Sequence, residues 1–266
     1  MIRVCVAGAL GRMGRRITEL ASLDPELEVV GVFDLPEYAG RTITVPVIDS
    51  SVKEIVLGKD PKEEIAKADV LIDFTRAEAS VSNAEIASSL SKGIVIGTTG
   101  LSLEQENILR KCSEKVPIVY APNMSVGVNL LFKLVREVAE VLGLDYNVEI
   151  VEIHHNQKKD SPSGTALRLA KEVARGLKLD EEKAFVFGRE GLVGARKKEE
   201  IGILAVRGGD VVGEHTVYFI GQGERIQLTH IAHSRDNFAR GALRASKFVY
   251  QAKAGLYDML DVLNLK

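Results

Sequence analysis

Cysteine is nearly absent from this chain: Cys5 and Cys112 are the only two, far apart and in no CxxC pair. That excludes a disulfide scaffold and a cysteine-built metal site. Two buried, reduced thiols are expected, in keeping with a cytoplasmic setting. Long hydrophobic runs are lacking too, and none approaches the roughly eighteen residues of a membrane span. The opening residues, "MIRVCVAGALGRMG", show no secretory-signal pattern. Nor is there an excess of charge of one sign. Lys and Arg number 35 against 37 Asp and Glu, leaving −2, which argues against nucleic acid or a membrane surface as partner. Any attraction for an anion must therefore be local. Repeats and low-complexity tracts are missing. What remains is 266 residues, 45% of them hydrophobic, enough for one large domain or two modest ones with packed cores.

The first half alternates short apolar runs with amphipathic stretches. "IRVCVAG" reads as a strand buried on both faces, "RRITELASL" as a helix with Ile17 and Leu20 on its apolar side, and "EVVGVFD" as a second strand. Between the first two lies "GALGRMG", with Gly8, Gly11 and Gly14 spaced GxxGxxG. Glycine there lets the backbone turn sharply and approach a pyrophosphate, and the free N–H groups of the helix start favour the anion. The spacing alone is a weak signal. Asp34 strengthens it, because it ends the second strand twenty residues after Gly14, where a carboxylate accepts hydrogen bonds from an adenosine ribose. A nicotinamide dinucleotide is expected. Asp34 followed by Leu35 favours a free 2′-hydroxyl, whereas Arg12 offers a cation for a 2′-phosphate, so NADH and NADPH both stay open. "ADVLIDFT", "GIVIGTTG" and "VPIVYAPNMS" continue the strands, with helices at "SVSNAEIASSLSK" and "LSLEQENILRKCSEK". The alternation predicts an α/β, Rossmann-like parallel sheet with helices on both faces. Gly97, Thr98 and Thr99, and Ala121, Pro122, Asn123 and Met124, fall at the carboxyl ends of strands, where the nicotinamide half would lie.

The second half changes character. After Ser125, "VGVNLLFKLVREVAEVLG" has helical apolar spacing and stops at Gly143. "NVEIVEIHH" is a strand. "EIGILAVRGG", "GEHTVYFIG" and "ERIQLTHIAH" are three more, and their short connections "GGDVV" and "GQGE" predict hairpins with antiparallel pairing. "RDNFARGALRASKFVYQAKAG" is helical and is expected to return to the first domain. The expected organisation is a dinucleotide-binding domain of residues 1–125 and 235–266, and a smaller α+β domain of residues 126–234 with an open mixed sheet. An open sheet needs its exposed face covered, and self-association does that. Residues 188–200, "GREGLVGARKKEE", read as a long loop, either disordered or reaching into a neighbouring subunit.

The densest chemistry lies at 152–166, "EIHHNQKKDSPSGTA". Adjacent strand residues face opposite ways: His154 shares the face of Ile150 and Glu152, His155 that of Val151 and Ile153. The two imidazoles therefore take different jobs, one carrying a proton and one binding. Pro162-Ser163-Gly164-Thr165 leads into "ALRLAKEVARGL", whose Ala166, Leu169, Ala170, Val173 and Leu177 form an apolar stripe. Ser163 or a neighbour caps this helix, and Gly164 leaves its first N–H groups uncovered for an anion, a carboxylate rather than a second phosphate. Lys158 adds positive charge, so a small acidic molecule beside a proton source is expected. No third ligand stands at zinc-like spacing, and no metal is expected. Each feature alone has a plainer reading: a solvated or core histidine, a wet lysine pair, an ordinary helix cap. Their concentration in one loop favours a site.

Together "VAGALGRMG", "DFT", "GTTG", "APNMSVGVN", "EIHHNQKKDSPSGTA", "AVRGGDVVGEHTV" and "HSRDNFARGA" resemble the dihydrodipicolinate reductase (4-hydroxy-tetrahydrodipicolinate reductase) family of the diaminopimelate route to lysine. The resemblance runs in order from residue 2 to about residue 257. It implies reduction of a small cyclic dicarboxylate by hydride from NADH or NADPH, with His154 as general acid/base and Lys158 as proton donor. It implies that His155, Ser163, Gly164 and Thr165 hold substrate carboxylates. Gly8, Ala9, Leu10, Gly11, Arg12, Met13, Asp34, Gly97 to Thr99 and Ala121 to Met124 would line the cofactor, with Arg235 and Phe238 approaching it. It also implies a homotetramer through the second domain's sheet. Asn156 and Gln157 depart from the basic residues some members carry there, which weakens the local positive field. A different two-domain NAD(P)-dependent dehydrogenase of a small acidic substrate shares the cofactor fold, and a dinucleotide-sensing module is the non-enzymatic rival. Neither calls for the histidine–lysine–SGT set.

Overall fold

The computed structural model describes residues 1–48 and 51–266. The chain runs β1 (Ile2–Ala7), α1 (Arg12–Ser22), β2 (Leu27–Phe33), β3 (Thr42–Pro46), β4 (Val52–Val56), α2 (Pro61–Lys67), β5 (Val70–Asp73), α3 (Ala77–Ser89), β6 (Gly93–Ile96), α4 (Leu103–Ser113) and β7 (Pro117–Tyr120). It continues through α5 (Val126–Leu142), β8 (Asn147–His154), α6 (Gly164–Leu177), α7 (Glu181–Ala184), β9 (Phe185–Phe187), β10 (Ile201–Arg207), β11 (Gly213–Ile220) and β12 (Arg225–Ala232), and closes with α8 (Asp236–Gln251), β13 (Gly255–Tyr257) and α9 (Met259–Val262). It divides into two compact units, Met1–Val126 with Asp236–Lys266, and Gly127–Arg235. Among the described residues no helix is long and apolar enough to cross a membrane.

The first unit is built on a six-stranded sheet ordered β13-β7-β6-β5-β1-β2, every pair of it parallel. Its central strands are continuous apolar runs because helices cover both faces: Val4, Val6 and Ile72 pack on one side, Leu71, Ile94 and Ile118 on the other. Helix α8 joins this unit, with Ala239, Ala242 and Leu243 in the first of those cores and an Arg16–Asp236 ion pair tying it to α1. The β3–β4 hairpin, the edge strand β13 and helix α9 fall outside the sequence reading. So does α2, whose start Asp60-Pro61 is a local signal, since Asp60 accepts from the Lys62 N–H and Pro61 opens the first turn.

The second unit carries a five-stranded sheet ordered β12-β11-β8-β10-β9. Here one expectation is corrected. β10 and β11 do not form a hairpin: β10 pairs parallel with β8, β11 pairs antiparallel with β8, and β8 lies between them. Only "GQGE" makes the expected antiparallel hairpin, β11 with β12. The connection 208–212 instead arches over the end of β8, where the Gly208 N–H donates to the His154 carbonyl, the His155 N–H to that of Val211 and the Asn156 N–H to that of Gly209. A short connection fixes how far two strands can stray, but one intervening strand still fits within its reach.

Helices α5 and α6 cover one face of this sheet. Val148, Ile150, Ile203, Val217 and Phe219 point into that core beside Leu169 and Val173. On the opposite face Leu204, Val206, Ile220 and Ile231 stay exposed. The 188–200 segment folds back on its own unit: Arg189 and Arg196 both bind the Glu149 carboxylate at 3.0 Å, and Arg189 also reaches Glu200 at 3.1 Å.

Candidate active site

In the first unit β1 ends at Ala7, and Gly8 turns the chain with φ +69°, a conformation in which a side chain is strained. Gly14 is required for a different reason. A Cβ there would overlap the carbonyl oxygen of Gly8, so this glycine lets α1 sit directly against the turn. The turn is closed by the Gly11 N–H donating to the Gly8 carbonyl at 2.9 Å. Helix α1 starts at Arg12 with Gly11 as N-cap, no side chain capping it and no acid in its first turn. No side-chain cap and no acid of its own first turn compete with an anion at this helix start. Asp34 braces the turn from the end of β2: one carboxylate oxygen accepts the Leu10 N–H and the other the Leu35 N–H, both at 2.8 Å. A carboxylate offers about four acceptor positions, so capacity remains for ribose hydroxyls. Ala9 is buried beneath the turn, Gly11 and Arg12 are exposed, and Leu10 and Met13 are half-buried. These residues fit a dinucleotide phosphate and its adjoining ribose.

At the neighbouring strand ends the sequence reading missed the organising residue. Asp73, fully buried at the end of β5, accepts from the Thr75 N–H at 3.0 Å and from the hydroxyls of Thr75 and Ser80 at 2.7 Å each. The Asn83 amide donates to it at 2.7 Å and the Thr98 hydroxyl reaches it at 3.3 Å. Ser80 and Thr98 also bond each other at 2.7 Å. The Thr98 side chain is therefore committed inward, while Thr99 is exposed. Met124 is buried, Pro122 exposed, and the Asn123 carboxamide oxygen accepts the Ser125 N–H at 2.9 Å. Phe238 is half-buried in this unit; Arg235 is exposed and belongs to the other. The signal for Asp73 was present as an acid closing the apolar run "VLID", where burial demands hydrogen-bond partners.

The second unit assembles the other group. β8 alternates strictly, with Val148, Ile150, Glu152 and His154 buried, so the imidazole of His154 faces the helix side; His155, just past the strand end, is half-buried. Glu152 is 0% exposed and its carboxylate is saturated. It bonds His154 Nδ1 at 2.6 Å, accepts both terminal nitrogens of Arg207 at 2.7 Å, and accepts the Ser163 N–H at 2.9 Å. Burial alone would raise its pKa; the guanidinium, the imidazole and the Ser163 N–H outweigh that and hold it below the usual carboxylate range. Burial likewise lowers the pKa of His154, and Glu152 offsets this only in part. The balance favours the neutral imidazole.

Ser163 is the N-cap of α6, its Oγ accepting the Ala166 N–H at 3.1 Å. The same Oγ meets Nε2 of His215 at 2.9 Å, and the His154 and His215 rings sit edge-to-face at 5.0 Å. Burial, then the neighbouring His154, push His215 down to about 3. Gly164 is exposed and a Cβ on it would meet nothing within 4 Å, so the turn is open at that point; Thr165 is half-buried. Lys158 reaches Asp160 at 2.9 Å and holds that carboxyl below its ordinary value. His154, Lys158 and Ser163 to Thr165 thus belong to one short stretch joining β8 to α6. Arg207 and His215 come from β10 and β11, fifty residues and more away, with no local sequence signal. Glu152 had one, the two-residue spacing to His154.

Comparison with known proteins agrees along the full length. Residues 2–124 match the family described as dihydrodipicolinate reductase, N-terminus, and residues 127–263 the one described as dihydrodipicolinate reductase, C-terminus. A 4-hydroxy-tetrahydrodipicolinate reductase of Syntrophus aciditrophicus is 48% identical over 268 residues, covering the whole of both chains. One of Syntrophotalea carbinolica is 49% identical over 272 residues with the same coverage. Among solved structures, a dipicolinate-bound dihydrodipicolinate reductase from Paenisporosarcina sp. TG-14 superposes with TM-score 0.77 at 24% identity, covering 98% of each chain, a likeness of fold. Both halves and the whole length agreeing, this chain belongs to the dihydrodipicolinate reductase family.

Proposed function

We propose that the chain reduces 4-hydroxy-tetrahydrodipicolinate to tetrahydrodipicolinate with NADH or NADPH, in the diaminopimelate route to lysine. The observation that carries the reading is the buried Glu152–His154 pair beside the Ser163–Gly164 helix start. It joins a proton site to an anion site in one unit, while the other unit holds a glycine turn fit for a dinucleotide.

When bound, the dinucleotide supplies a hydride. Gly8 to Met13 and Asp34 hold its phosphate and ribose side. Gly97 to Thr99 and Ala121 to Met124 line the nicotinamide side, and Arg235 and Phe238 approach it. His155, Ser163, Gly164 and Thr165 hold the substrate carboxylates, with helix-start N–H groups as donors. Lys158 gives a proton to the ring carbon beside the one that takes the hydride, and His154 serves as general acid/base. Hydroxide departs with a proton as water, so one hydride and one proton enter as one water leaves. Asp160 is the present partner of Lys158, and a substrate carboxylate would take over the ammonium from it.

The functional domains are residues 1–125 with 235–266 for the dinucleotide and 126–234 for substrate and self-association. The open sheet face, with Val206 45% and Ile231 51% exposed, supports a homotetramer assembled through it. The cytoplasm is the compartment in which such a chain would work. The test is oxidation of NADH and NADPH followed at 340 nm with freshly generated substrate. No oxidation of either ends the proposal. Lys158→Ala should then lose most turnover, roughly 100-fold or more, with NADH affinity nearly unchanged. Loss of NADH binding together with activity would contradict its role.

A further inference from the structure

We infer that Glu152 is the positioning residue of the site: its carboxylate holds His154 as the Nδ1–H tautomer, leaving Nε2 as the atom that exchanges the proton. The geometry admits little else. An ionised carboxylate only accepts, so the 2.6 Å contact from Glu152 to Nδ1 requires hydrogen on that nitrogen. Glu152 stays ionised because Arg207 engages both its oxygens and the Ser163 N–H adds a third donor. In a neutral ring Nε2 is then bare. That atom faces the backbone of Gly213, where a Cβ would come within 3.0 Å, so no side chain of that residue covers it. The edge-to-face His215 ring fixes the imidazole plane from β11. The charged and titratable groups around His154 are therefore Glu152 on its own strand, Arg207 on β10, His215 on β11 and Lys158 on the following loop. His215, held neutral by burial, adds no charge.

Arg207 has a defined part in this arrangement. It bridges Glu152 to the Asp160 carbonyl at 2.8 Å, so one guanidinium fixes the strand end and the loop carrying Lys158. Glu152 in turn binds the N–H of the helix cap, Ser163. The proton site and the anion-binding turn are thus held by one carboxylate, whose removal disturbs the tautomer before it disturbs either ligand group.

The catalytic part of this inference rests on His154 being the acid–base group of the proposed reaction; the tautomer does not. The chain has five histidines, few enough to assign by ¹⁵N–¹H correlation across the rings. In the wild-type protein near pH 8, His154 should show a protonated Nδ1 and a bare Nε2. In Glu152→Gln the amide NH₂ can donate to Nδ1, and the tautomer should reverse. Its kcat should fall roughly 10²–10⁴-fold with the NADH Kd unchanged. The acid limb of its kcat–pH profile should move to lower pH, because the carboxylate that raises the His154 pKa is gone and Arg207 remains. A merely structural role would move neither the tautomer nor that limb. An Nε2–H tautomer in the wild type overturns the inference, as does a Glu152→Gln enzyme with unchanged tautomer and kcat within about threefold. Should Glu152→Gln fail to fold, Glu152→Gln with Arg207→Gln removes both charges together, and the wild-type spectrum still decides. A wild-type enzyme that turns nothing over, yet shows the Nδ1–H signal, sinks the proposed reaction and leaves the positioning role standing.

Discussion

Replacing His215 by glutamine tests the electrostatics of the buried cluster through stability, without reference to catalysis. The His215 ring is 4% exposed and its pKa falls from 6.5 to about 3, with burial the largest cause and His154 next. A group whose folded value is depressed binds protons better when unfolded. Its contribution to stability is therefore complete above about pH 6.5 and is lost as pH falls toward 3. At about 1.4 kcal/mol for each pH unit between the two values, the full loss is roughly 5 kcal/mol, and the part falling between pH 7 and pH 5 is about 2 kcal/mol. The glutamine side chain does not titrate, and its amide can still donate to the Ser163 hydroxyl. Urea unfolding followed by circular dichroism at fixed protein concentration gives the number. From pH 7 to pH 5 the wild type should lose about 2 kcal/mol more than His215→Gln, whatever the variant's stability at pH 7. Equal losses in the two proteins would refute the reasoning, since His215 would then be accessible to protons in the folded state.

Three other outcomes follow from the geometry. Gly14→Ala, whose Cβ would overlap the Gly8 carbonyl, should push α1 off the turn and weaken NADH binding at least about tenfold by titration calorimetry, a loss of about 1.4 kcal/mol. Asp73→Asn replaces an acceptor facing the hydroxyls of Thr75 and Ser80 and the amide of Asn83. It should cost about 1–3 kcal/mol, seen as a lower Tm, and a Tm equal to wild type would contradict the network. Glu149→Ala removes the shared partner of Arg189 and Arg196 and should make trypsin cut within 188–200 severalfold faster; unchanged cleavage would show that the loop is held by something else.

The first unit was legible because its instructions are local. Glycine spacing, an acid at a strand end and a run of alternating elements each act within a few residues, and a parallel sheet covered on both faces leaves continuous apolar strands in the sequence. The "EIHHNQKKDSPSGTA" stretch was legible for the same reason: one strand end, one loop and one helix start carry His154, Lys158 and Ser163 together. Strand alternation likewise puts His154 on the buried face of β8, while His155, just past the strand end, is half-buried. The β10–β11 connection misled because a short link says how near two strands must be, and leaves open which strand lies between.

The sequence by itself determined where the glycines turn, which helix start stays open, and that acid, base and cation gather between residues 152 and 166. Only the tertiary structure decided what state those groups are in. Arg207 arrives on β10 and His215 on β11, by a strand order that no local pattern encodes. Arg207 holds Glu152 as an anion, Glu152 in turn makes one nitrogen of His154 the donor, and burial keeps the His215 imidazole neutral. Protonation responds to whatever charge and solvent the folded chain brings within a few ångströms, and residues fifty apart in sequence become such neighbours only when the sheet is formed.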